Sequence, residues 1–116
     1  MISKEYRLTE REVKKVLNRK KPFFSYTCVA NTLDIKNKHG RCGILLSSKC
    51  TKGSVNRNFW RRKFYDISLP FLDATPLDIV LVMKKGTVLN YKNEGDILEF
   101  EKNLQFIYKK IKETKN

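Results

Sequence analysis

The run LDIVLVMK, residues 77 to 84, most constrains what this chain can fold into. It is continuous, rich in β-branched residues and of strand length, so it reads as a buried strand. It is far too short to cross a membrane as a helix. A buried strand needs neighbours. RCGILLSS (41–48) reads as a second, mostly buried strand, and FFSYTCVANTL (23–33), aromatic and β-branched, as another. Helical signals surround them. Thr9 and Glu12 form a T-x-x-E capping box, followed by Val13, Val16 and Leu17 at helical spacing. That helix is expected to stop before Pro22, because the residue ahead of a proline disfavours helical backbone. A second helix is expected to begin near Ser54, a candidate cap, with Pro70 beyond its end. From Asp96 onward, Ile97, Phe100, Leu104, Ile107, Tyr108 and Ile111 recur at helical spacing, giving a long closing helix. The pattern is α+β. At 116 residues, with no internal repeat, it forms a single domain, 1–116, with its core at about 6–111.

Charge narrows the partners. Twenty-five Lys and Arg against twelve Asp and Glu leave a net +13. Such a surplus works against folding through self-repulsion, and a polyanion offsets it. Nucleic acid is therefore the leading partner class, ahead of an anionic membrane surface. The N-terminus MISKEYRLTERE is charged and lacks the apolar core of a signal peptide. Cys28, Cys42 and Cys50 are odd in number and form no C-x-x-C pair, so reduced thiols and a cytoplasmic location are expected rather than a disulfide or zinc framework.

The positive charge is densest in GSVNRNFWRRKFYD, residues 53–66. At about 100° per residue, Val55, Phe59, Trp60, Phe64 and Ile67 fall on one half of a helix, with Asn56 and Lys63 intruding. Arg57, Asn58, Arg61, Arg62 and Tyr65 fall on the other. No acidic residue lies between Lys49 and Lys63 to relieve the arginines. A merely solvated face is the plain alternative. Lys49, Lys52 and the helix N-terminus, however, extend the same field, and guanidinium groups suit phosphate through their rigid donor fork. Trp60 and Phe64 read as core anchors. Lys49, Lys52, Arg57, Asn58, Arg61 and Arg62 are the candidate RNA-binding residues.

Residues for catalysis are sparse. His39, the lone histidine, sits in a polar turn and is expected to be exposed. The paired acids Glu10/Glu12 and those of EGDILEFE stand at helix starts, where the dipole explains them. No nucleophile–base grouping or multi-acid metal pocket suggests itself. No catalytic residue and no metal ligand is assigned.

In this order, the RL at 7–8, a short helix, an aromatic strand, RCGILLSSK, a basic loop, SVNRNFWRRKFYD and LDIVLVMKK together resemble the bacterial ribonuclease P protein subunit over roughly residues 6–111. The resemblance implies an α-β-β-β-α-β-α sandwich with helices on a four-stranded sheet and a left-handed β-α-β crossover. Segment 23–48 would then divide into three strands. It further implies that Arg57, Asn58, Arg61 and Arg62 bind the catalytic RNA. A cleft between the first helix and the sheet, lined by Val13, Leu17, Tyr26 and Ser47, would receive the 5′ leader of precursor tRNA. The chemistry would belong to the RNA and its Mg²⁺ ions, with the protein a monomer in a 1:1 complex. Several positions depart from the family pattern. Phe59 replaces the last arginine of the Arg-Asn-Arg triplet, Ser48 stands where lysine is common, and Tyr65 stands where arginine is common. Val13 and Leu17 replace aromatic residues on the first helix. The alternative function is a structural or ribosomal RNA-binding protein of similar fold.

Overall fold

The computed structural model describes residues 4–19 and 21–115. After a single 3-10 turn at Lys4–Tyr6 come α1 (Glu10–Asn18), β1 (Lys21–Phe24), β2 (Cys28–Asp34), β3 (Arg41–Leu45), α2 (Ser54–Ala74), β4 (Leu77–Met83) and α3 (Glu94–Lys115). The strands form one sheet in the order β1-β2-β4-β3. β1–β2 and β2–β4 are antiparallel, whereas β3–β4 is parallel, with α2 as the connection. The element order is therefore α-β-β-β-α-β-α. The stretch 23–33 is not one strand, as its composition suggests, but two. The chain turns at Ser25–Thr27, where Ser25 N donates to Cys28 O and the Ser25 side chain bonds Cys28.

Side-chain alternation splits the sheet into two unlike faces. Cys28, Ala30, Cys42, Ile44, Leu77, Ile79 and Leu81 point into the main core with α2 and α3. Arg41, Gly43, Asp78, Val80 and Val82 point to the other side, where α1 lies across β2 and β4. Gly43 allows this close approach, since a Cβ there would stand 3.3 Å from Val13 Cγ2. β4 is covered on both faces over most of its length, which explains its unbroken apolar composition.

α1 begins as its capping box predicts. Glu12 N donates to Thr9 Oγ1 (3.3 Å), and Thr9 N donates to Glu12 Oε1 (2.9 Å). Glu12 does a second job through its other oxygen, which accepts from Arg41; Arg41 in turn donates to both carboxylate oxygens of Asp78 (2.9 and 2.8 Å). This Glu12–Arg41–Asp78 bridge clamps α1 to the sheet. The Thr9 amide first, then the Thr9 hydroxyl and Arg41, hold the Glu12 carboxyl below its usual pKa. A carboxyl depressed in the folded state stabilises the fold above its unfolded pKa of about 4.3, and that contribution fades as pH drops through the folded value. Glu12→Gln is therefore expected to lower the urea midpoint at pH 7. The gap between variant and wild type should close on acidification below about pH 4. A gap that stays constant with pH would remove the clamp from the account.

α2 runs longer than expected. Pro70 lies inside it rather than beyond its end, and the helix continues to Ala74. An interior proline costs about 3 kcal/mol through a lost hydrogen bond and a ring clash. The final turn offsets that cost by burying Phe71, stacked on Tyr108 at 4.2 Å, and Leu72, whose carbonyl accepts from Gly40 N. The residue before α2, Gly53, has φ 86° and serves as the N-cap without a side-chain bond, so Ser54 is the first helical residue and not the cap. α3 opens at Glu94, two residues earlier than its apolar spacing suggests, with Glu94 and Asp96 in its first turn.

Candidate RNA interface

The buried stripe of α2 is Asn56, Trp60, Phe64, Tyr65, Ser68, Phe71 and Leu72. This revises the helical-wheel assignment at two places. Val55, placed on the packing half, is 65% exposed. Tyr65, placed on the outer half, is buried. Asn56, an intruder by polarity, is a buried hub. Its amide Nδ2 donates to Leu89 O at 2.8 Å, and its Oδ1 accepts from Trp60 Nε1 (3.0 Å) and Tyr91 N (2.9 Å). All three bonds are internal, so the amide is satisfied on the packing half, where the wheel places it among apolar residues. The other intruder, Lys63, forms an ion pair with Glu101 of α3. Phe59 leans half-buried against Trp60 edge-on at 5.2 Å and against Tyr91 at 5.8 Å, so it faces the loop before α3 and not the arginine row.

The polar residues stand as follows. Asn58 and Arg62 are exposed, and Arg57 and Arg61 are half-buried. Among the described residues, none of the three arginines has an ion-pair partner. Arg57 Nε is buried without a hydrogen-bond acceptor. A row of guanidiniums left without carboxylates is unfavourable for an isolated protein and suited to a phosphate backbone. Lys49 and Lys52 are exposed on the loop that leads into α2, at whose N-terminus no side chain caps the first-turn amides. The structure thus places the six candidate RNA-binding residues on one helix and its entry loop.

The proposed cleft residues are not together. Beneath and beside α1, a groove of about 420 Å³ is lined by Leu17, Pro22, Phe24, Val29, Asn31, Leu45 and Val82. Leu17 belongs to it, and Val13 packs next to it over Gly43. Tyr26 does not line it; it stands on the β1–β2 turn, 84% exposed. Ser47 lies past the end of β3. There its hydroxyl accepts from Cys50 N at 3.1 Å, and it lines a second depression of about 630 Å³ with Lys49, Lys84 and Lys85. The groove carries its own aromatic surface in Phe24, 55% exposed, beside Leu45, 43% exposed. Sequence reading missed both. The signal was in the strand period, since Pro22 and Phe24 alternate with Phe23 and share a face with Val29 and Val82.

The remaining reactive groups are structural. All three thiols are buried, and burial pushes each up, Cys42 to about 12. They are therefore protonated and poorly nucleophilic at neutral pH. His39 is not the exposed loop histidine its sequence context suggests. Its ring packs on Tyr6 at 4.2 Å, and its Nδ1 lies 2.8 Å from Gly40 O. Among the described residues, no group of three His, Cys, Asp or Glu side chains converges to hold a metal ion. No helix among them is long and apolar enough to cross a membrane.

Comparison with known proteins decides the family. The ribonuclease P family model matches residues 2–112. The chain belongs to the ribonuclease P protein family. Its role is that of a ribonuclease P protein subunit in tRNA 5′ processing, associated with the ribonuclease P RNA. The fold agrees. The Staphylococcus aureus RNase P protein superposes with a TM-score of 0.73 at 18% identity, covering 92% of this chain and 95% of that one. The Thermotoga maritima RNase P protein superposes at 0.67 and 18% identity, covering 89% of this chain and 96% of that one. No curated protein sequence gives a significant match. At such low identity the ribonuclease P architecture persists while its surface side chains are free to differ, so the site residues of this member have to be read from its own structure.

Proposed function

We propose that the outer face of α2 docks on the catalytic RNA of ribonuclease P, while the groove beside α1 holds the 5′ leader of precursor tRNA. The protein contributes no catalytic residue. The RNA and its Mg²⁺ ions cleave the phosphodiester, and the protein screens phosphate repulsion and lowers the magnesium requirement. The observation that carries this reading is the arginine row of α2, three guanidiniums without an ion-pair partner among the described residues. Lys49 and Lys52 extend that surface along the entry loop. Leu17 and Phe24 offer the leader an apolar wall; a base stacked on an aromatic ring gains about 1–3 kcal/mol. Val13 supports the wall from α1, and Tyr26 and Ser47 stand outside it, past the strand end marked by Cys28 and Leu45. The protein works as a monomer in a 1:1 complex with the RNA, in the cytoplasm.

The decisive experiment is precursor-tRNA cleavage at low Mg²⁺ with protein alone, cognate RNA alone, and both. Cleavage is expected only in the mixture. Cleavage by the protein alone would make it a nuclease in its own right. No gain on mixing would return it to the structural RNA-binding proteins.

A further inference from the structure

Outside the six residues assigned to RNA, Arg7 is the basic side chain whose surroundings are least explained by folding. Segment 7–8 adds to the outer edge of β3. Arg7 forms a parallel bridge with Cys42, and Leu8 N donates to Cys42 O at 3.0 Å. Paired residues in a sheet project to the same face. Arg7 therefore leaves on the Cys42 side, toward α2, and Leu8 turns to the opposite face, where it lies against Gly43. Arg7 is half-buried, its Nε is shielded from solvent, and that nitrogen has no acceptor. Buried donors are satisfied in nearly all proteins, so an orphan calls for an absent partner.

Tyr65 shares this place. Burial pushes its phenol up, and Arg61 and Arg7 both lie close enough to oppose that rise. Its hydroxyl makes no hydrogen bond among the described residues. Neither arginine has an ion-pair partner among them. Two guanidiniums and a hydroxyl with no acceptor between them match the donor needs of one phosphodiester. We propose that Arg7, Arg61 and the Tyr65 hydroxyl form a phosphodiester-binding site at the junction of α2 and the edge of β3. The ligand is a backbone phosphate of the catalytic RNA. The site opens on the α2 side of the sheet, whereas the leader groove lies on the α1 side. This assignment rests on the proposed docking of α2 on that RNA, and it widens the interface from one helix to the chain segment before α1.

Titration of the full-length protein against the cognate ribonuclease P RNA, from about 50 to 200 mM salt, tests it. Arg7→Gln is expected to weaken binding about tenfold at low salt and to reduce the slope of log K against log salt by about 0.7–0.9. Arg7→Lys should keep the slope. Tyr65→Phe should weaken binding about threefold with the slope unchanged, since a hydroxyl releases no counterion. A folding defect would appear in thermal melting and would leave the slope of the folded fraction alone. If Arg7→Gln proves unfolded, the Arg61→Gln/Tyr65→Phe pair decides. Losses smaller than the sum of the single variants support a shared phosphate, and additive losses overturn it. A wild-type slope in Arg7→Gln, with a reduced slope in Arg61→Gln, overturns the Arg7 site and leaves the wider reading standing. An effect confined to precursor tRNA assigns the phosphate elsewhere and also overturns it. Failure of the wild-type protein to bind the RNA overturns both.

Discussion

Trp60→Ala is expected to destabilise the protein by about 3–5 kcal/mol, the cost of removing a fully buried large aromatic side chain. Trp60 is 0% exposed and stands between two layers. Its ring meets Phe100 of α3 at 5.1 Å and Phe59 edge-on, while its Nε1 donates to Asn56 Oδ1. Truncation opens a cavity under α2 and deprives Asn56 of one of its three bonds. A domain of this size has about 5–15 kcal/mol in total, so the variant should unfold at a much lower urea concentration with an unchanged m-value. Asn56 also bonds Leu89 O and Tyr91 N, so the loop between β4 and α3 should loosen with it. Amide exchange at Tyr91 reads that loosening directly. If stability were unaffected while RNA binding disappeared, Trp60 would belong to the interface and not to the core.

The second large effect is on RNA binding. Replacing Arg57 and Arg61 together with alanine should reduce the salt slope of binding to the catalytic RNA by about one unit for each phosphate no longer neutralised. The affinity loss should be greatest at low salt and shrink as salt rises. Stability should change little, because neither residue has an ion-pair partner among the described residues to leave stranded. An unchanged slope and affinity would mean that this face of α2 is simply solvated.

Much of the architecture is legible in local chemistry. The Thr9–Glu12 box starts α1, the unbroken LDIVLVM run is β4 and the Ile97-to-Ile111 spacing is α3, because caps and burial periods are short-range signals. The strand pair β1 and β2 is not legible. Ser25–Thr27 turns the chain through bonds between Ser25 and Cys28, in a stretch whose composition is β-rich throughout. Pro70 likewise misleads, since local rules end α2 there, whereas the packing of Phe71 and Leu72 carries it onward. The candidate site follows the same division. The arginine row appears on a helical wheel, but the groove proposed for the leader is assembled from α1 and all four strands. Its walls Phe24, Leu45 and Val82 are therefore far apart in the chain.

By itself, the sequence determined the class of partner and singled out the helix proposed to meet it, because net charge and i, i+4 spacing are properties of the chain and need no neighbours. Only the tertiary structure decided which way the borderline residues of that helix face. Val55 stays exposed, Tyr65 is buried where α2 packs on β3, and Asn56 is tolerated inside because Leu89, Tyr91 and Trp60 satisfy its amide. Polarity ranks side chains by their cost in an average environment. Burial depends on the partners actually present, and those come from residues dozens of positions away.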